Sequence, residues 1–125
     1  MTNVLAIGFD PTTIPGFDPA PVLAGIEQGN KAFAELGMAQ DLLLISFDEL
    51  DGRAQAKIVD HLAAKPYDCV VVGGGIRKGT GLLELFQTVI NLVHWHQPDA
   101  AIAFNESPGD STDWVLKALE QRRNR

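Results

Sequence analysis

Cysteine is almost absent: Cys69 is the one cysteine in the chain, so no internal disulfide forms and a reducing compartment fits. Cys69 opens an apolar stretch and reads as a small core residue, not as a reactive thiol. No apolar run approaches the ~20 residues that a membrane helix needs. The N-terminus lacks the basic-then-apolar order of a secretory signal, and a cytoplasmic location is expected. Cations are the minority, with 10 Lys and Arg against 16 Asp and Glu and a net charge of −6. That balance argues against a broad nucleic-acid or anionic-membrane surface, while leaving room for a local basic pocket. Histidine is scarce too. His61, His94 and His96 all fall on helical patterns away from strand ends, so a serine-hydrolase triad would lack its base. His94 and His96 stand two positions apart and do not share a helix face. No His/Cys/Asp grouping has zinc spacing, and no metal site is expected. Repeats and low-complexity segments are absent as well.

What is present is an ordinary globular composition. The chain has 125 residues, 46% hydrophobic and 21% charged, enough for one domain with a real core. Residues 1–125 are read as a single α/β domain. Strands are expected at 3–9, 41–47, 69–72 and 100–104, and helices at 20–36, 51–64, 82–96 and from 111 onward. Cys69-Val70-Val71-Val72 is apolar without alternation, which suits a strand covered on both faces. Strict strand–helix alternation with short links implies a four-stranded parallel sheet between helix layers, a three-layer α/β/α Rossmann-like (flavodoxin-like) domain. Right-handed crossovers give the strand order 2-1-3-4. The loop 10–21 carries Pro11, Pro15, Pro19 and Pro21, and loops of that length are often functional. Gly25 and Gly29, four apart on the first helix, suggest close approach to the sheet. Helix 82–96 is apolar nearly all round, which suggests a homodimer through this helix.

The stretch that organises the chain is Val72-Gly73-Gly74-Gly75-Ile76-Arg77-Lys78-Gly79-Thr80-Gly81. Glycine permits close approach of a ligand to the main chain. Thr80 reads as the N-cap of the helix that follows, and Arg77 and Lys78 place two cations beside that helix start. Formal phosphate motifs fail. The P-loop pattern G-x-x-x-x-G-K-S/T has its lysine after the second glycine, but Lys78 precedes Gly79. The fingerprint G-x-G-x-x-G fails because Lys78 occupies the place of the third glycine. Nor is the proline-rich loop after the first strand the Ser/Thr/Gly-rich phosphate loop of a flavodoxin. The plain alternative is a tight turn whose two cations point to water.

With the order 2-1-3-4, the switch point falls between strands one and three, where ligands bind outside the carboxyl ends. The candidate ligand-binding residues are Gly74, Gly75, Ile76, Arg77, Lys78, Thr80 and Asn105. Asp10 and Glu106 are the candidate acid–base residues, should burial raise either. Arg77 pairing Asp10 or Glu106 is the structural alternative. No cofactor is assigned by these residues.

Tyr67 to Arg77, together with Val89-Ile90-Asn91-Leu92-Val93-His94 and Ala101-Ile102-Ala103-Phe104-Asn105, resembles a family of small Rossmann-like α/β proteins of bacteria and fungi that has no assigned activity. The resemblance covers most of the second half of the chain. It implies the fold and draws attention to Gly74, Gly75, Ile76, Arg77 and Asn105, and it carries no catalytic residue across. Two functions are therefore expected in parallel. One is a site for a small anionic or carboxylate-bearing ligand at the glycine turn, with a hydrolase or transferase as its enzymatic version. The other is a non-enzymatic oligomeric protein that works through the apolar third helix.

Overall fold

A computed structural model describes residues 1–125. Its strands are β1 (Asn3–Phe9), β2 (Ala39–Ile45), β3 (Cys69–Val72) and β4 (Ala101–Phe104), and its helices are α1 (Ala20–Glu35), α2 (Arg53–Ala64), α3 (Gly74–Lys78), α4 (Leu83–His96) and α5 (Ser111–Arg123). The strands form one fully parallel sheet in the order β2-β1-β3-β4. This is the expected three-layer Rossmann-like architecture with the expected strand order.

The period-two alternation of a strand divides the core in two. Leu5, Ile7, Val70, Val72, Leu43 and Ile45 face α2 and α4, which answer with Ile58, Leu62, Val89, Leu92 and Val93. Val4, Ala6, Cys69, Val71 and Ala103 face α1 and α5 through Phe33, Val115 and Ala118. Every residue of β3 is buried, which is why its sequence shows no polar alternation. Cys69 is among them, and burial pushes its thiol up to about 12. No helix is long and apolar enough to cross a membrane.

Several local expectations need correction. Strand β2 starts and stops two residues early, because its ladder pairs Ala39 with Asn3 and because Ser46 opens a capping box with Glu49. Gly25 and Gly29 bring α1 against the β4–α5 connection and not onto the sheet. A Cβ on Gly29 would stand 2.7 Å from the Pro108 carbonyl oxygen. Leu36, which continues the apolar spacing of Val22, Ile26 and Phe33, stands at the end of α1 and is 48% exposed. The apolar excess of α4 is largely absorbed within the chain. Leu85, Phe86 and Ile90 pack on the core beside α2 and α3, and Phe86 meets Phe104 at 6.0 Å between ring centres. Leu83 and Trp95 remain outside, 75% and 67% exposed, about three turns apart on the helix. Arg122, in the last turn of α5, is bound to the sheet edge. It donates to the Asp68 carbonyl oxygen at 3.0 Å and meets the Asp68 carboxylate at 3.3 Å. The same carboxylate accepts the Asn3 N–H at 2.8 Å, so α5 is tied to the start of both central strands.

The turn after β3 departs most from expectation. Gly74–Lys78 is already one turn of helix, with Gly73 at its N-cap, and a separate helix starts at Leu83. Thr80 therefore caps nothing. It lies exposed in the connecting turn, and α4 begins without a side-chain cap.

Candidate functional site

Strand β1 turns only Ala6 and Gly8 toward the middle of α1, and α1 is held off the sheet by Pro108. Together these leave a cleft of about 350 Å³ between α1 and the sheet. Its floor is Ala6, Gly8, Val71 and Gly73, and its walls are Leu42 and Leu44 of β2 and Val22 and Ile26 of α1. Ile14 and Phe17 of the proline-rich loop also line it. The two floor glycines serve different ends. A Cβ on Gly8 would meet only Leu44 Cδ2, at 4.0 Å, so its absence leaves open space. A Cβ on Gly73 would stand 3.1 Å from the Ile7 carbonyl oxygen and 3.4 Å from Gly8 Cα. That glycine lets the chain leave β3 close against β1.

The cleft opens at the carboxyl edge of the sheet, beside the β1/β3 switch point, past Gly74, Gly75, Lys78, Asn105, Glu106 and Ser107. Five of the residues singled out from sequence thus meet here: Gly74, Gly75, Lys78, Asn105 and Glu106. Their polar atoms are partly committed to one another. Asn105 is 7% exposed. Its side-chain oxygen accepts the Gly74 N–H at 2.9 Å, and its amide donates to Ser111 Oγ at 3.0 Å. Ile76 and Arg77 return their N–H groups to the Gly73 carbonyl. Gly75 sits at the exposed rim, with its N–H in the first turn of α3. Lys78 Nζ meets Glu106 Oε2 at 2.9 Å, with both side chains more than half exposed. An ion pair in that setting is weak and exchanges readily for another partner.

The remaining predicted residues lie elsewhere. Ile76 is wholly buried in the α2/α4 core and presents nothing to the cleft. Asp10 accepts from Thr12 N at 3.0 Å and from Thr12 Oγ1, capping the short helical turn Pro11–Thr13. Arg77 points away from Lys78 into a second depression, beside Phe104, Trp114 and Lys117. Its Nη2 donates to the Asn105 carbonyl oxygen at 2.8 Å, its guanidinium lies 5.9 Å from the Phe104 ring centre, and its buried Nε has no partner. The expected Arg77 pairing to Asp10 or Glu106 is therefore absent; Lys78 makes the pair to Glu106. The three histidines are outside the cleft, and no three of the chain's His, Cys, Asp and Glu side chains converge.

Gly8, expected from its place at the end of the first strand to line the crevice, does so, but sequence reading missed the rest of the apolar interior: Ala6, Val22, Ile26, Leu42 and Leu44. A signal was present in β1, where the two smallest residues, Ala6 and Gly8, occupy alternate positions on one face.

Compared with models of known protein families the chain matches none, and no curated protein is significantly similar to it.

Proposed function

We propose that the protein binds a small anionic or carboxylate-bearing molecule at the mouth of the cleft beside the β3–α3 turn, and that it belongs with the small Rossmann-like proteins its second half resembles. The observation that supports this reading is the cleft itself, which reaches the switch point with the Lys78 ammonium on its rim. An anion there would take the Lys78 ammonium, which would change partner from Glu106. Binding is better supported than catalysis. Asp10 is occupied in its own turn, and Glu106 is exposed and ion-paired.

The test is a thermal-shift screen of phosphate, sugar phosphates, nucleotides, acyl-CoAs and small carboxylates against the wild type and Lys78→Ala. A ligand at a hundredfold its Kd adds about 2.7 kcal/mol, a readily seen rise in Tm. A rise lost in Lys78→Ala supports the site, and a rise unchanged in that variant moves it elsewhere.

The interaction reading retains one supporting observation, the exposure of Leu83 and Trp95 on α4. Sedimentation of the wild type beside Trp95→Glu tests it. A dimer that dissociates in the variant supports this reading, and a monomeric wild type removes the homodimer.

A further inference from the structure

We infer that the ligand is an amphiphile: an aliphatic carboxylate whose head lies at Lys78 and whose chain runs into the cleft beneath α1. This rests on the reading above and names its substrate class. The interior is made of hydrocarbon, with Leu42 and Leu44 on one wall, Val22 and Ile26 on another, and Ala6 and Gly8 as the floor. No charged side chain lines it away from the mouth. Gln40 at one end and Leu44 near the other are four residues apart on β2, so the cleft extends roughly 13 Å along the strand. An elongated apolar cleft with a cation at its carboxyl-edge end is complementary to a chain with one anionic terminus. It is a poor match for a sugar phosphate or a nucleotide, whose polar groups would be buried against Leu, Val and Ile without partners. Binding breaks no bond; the ligand carboxylate replaces Glu106 as the partner of Lys78.

The interior also shows how to block it. A side chain on Gly8 would grow into the cleft, since its Cβ meets nothing closer than Leu44 Cδ2 at 4.0 Å. Gly8→Leu should fill the space that the chain would occupy while leaving Lys78 in place.

The experiment is calorimetric titration of the full chain with acetate, butyrate, hexanoate, octanoate and decanoate, with inorganic phosphate and octanol as controls. Each added methylene should tighten binding about fourfold until the cleft is full. The gain with length should vanish in Gly8→Leu, whereas Lys78→Ala should weaken all the acids by a similar factor. Should Gly8→Leu fail to fold, methyl NMR of the wild type serves instead: octanoate must shift the methyls of Leu42, Leu44 and Ile26, and acetate must not. If acetate and phosphate bind but length changes nothing, the aliphatic chain is overturned and the anion site stands. If octanol binds as tightly as octanoate, the carboxylate head is overturned. If no acid and no phosphate binds, this inference and the anion reading fall together.

Discussion

Asn105 caps the first turn of α3 from the end of the neighbouring strand β4, its side-chain oxygen accepting the Gly74 N–H at 2.9 Å. A glycine-rich helix of five residues has little intrinsic stability, so its shape depends on this contact and on burial of Ile76. Asn105→Ala should lower stability by about 1–3 kcal/mol in urea denaturation, because the part-buried Gly74 N–H and the Ser111 hydroxyl each lose a partner. Asn105→Asp keeps an acceptor but places a charge at a position 7% exposed. Its loss should be at least as large at neutral pH and should shrink as the solution is acidified and the carboxyl takes up a proton.

Gly25 and Gly29 should respond in opposite directions to the same substitution. Alanine at either raises helix propensity by up to about 1 kcal/mol. At Gly25 the new methyl would meet Pro108 and Gly109 at 3.5 Å, an ordinary contact, and stability should rise. At Gly29 it would stand 2.7 Å from a backbone oxygen of Pro108. Gly29→Ala should therefore lower stability and disturb the cleft by forcing α1 and the β4–α5 connection apart. Paired thermal melts check this.

Arg77 and Lys78, adjacent in sequence, should separate in their effects. Arg77→Ala removes a hydrogen bond to the Asn105 carbonyl and a stacked contact on Phe104. It should lower Tm while leaving ligand affinity nearly intact. Lys78→Ala breaks an exposed pair and should leave the melt within error while weakening anion binding. The opposite pattern would move the site into the depression beside Trp114.

The stability of the fold should decline at alkaline pH. Burial raises the Cys69 thiol from 9.0 to about 12, and burial with the hydrogen bond to Asp41 raises the Tyr67 phenol as well. For groups shifted upward in the folded state, the unfolded chain loses its proton first. The stability they contribute is whole below the ordinary value and is lost as pH rises toward the folded one. Between pH 9.0 and about 12 the thiol alone gives a slope of up to about 1.4 kcal/mol per pH unit. Cys69→Ala should lower stability at neutral pH but flatten its decline just above pH 9, as read from denaturation midpoints. On the acid side, hydrogen bonds from Lys65 and Tyr67 hold the Asp41 carboxyl below its usual range. Its contribution is retained above about pH 4 and lost only as pH falls through the depressed value.

The architecture was legible because each element announced itself locally. An unbroken apolar β3, apolar β1 and β2, and helices ended by Gly37 and Lys65-Pro66 leave few alternatives to the order 2-1-3-4. The site was legible only in part. Gly74, Gly75, Lys78, Asn105 and Glu106 meet at the cleft mouth, but Arg77 does not, because a turn of helix rotates neighbouring residues by about 100° where a loop need not. That helix could not be read from three successive glycines, which disfavour it; it exists through contacts made by Ile76 and by Asn105, 31 residues from Gly74. The apolar cleft was hidden for a related reason. It is space left by Ala6 and Gly8, and space becomes visible only once Pro108 fixes the height of α1.

The sealed position of Cys69 makes the molecule its own stopwatch. Thiol reagents attack the thiolate, and here that species is suppressed in a side chain 0% exposed, on a strand paired on both sides by β1 and β4. At neutral pH, labelling must wait for β3 to come free of its neighbours. With reagent in excess, the labelling rate of the unmodified protein therefore counts the openings of its central sheet, and a ligand lodged over Val71 and Gly73 would slow that count without any engineered probe.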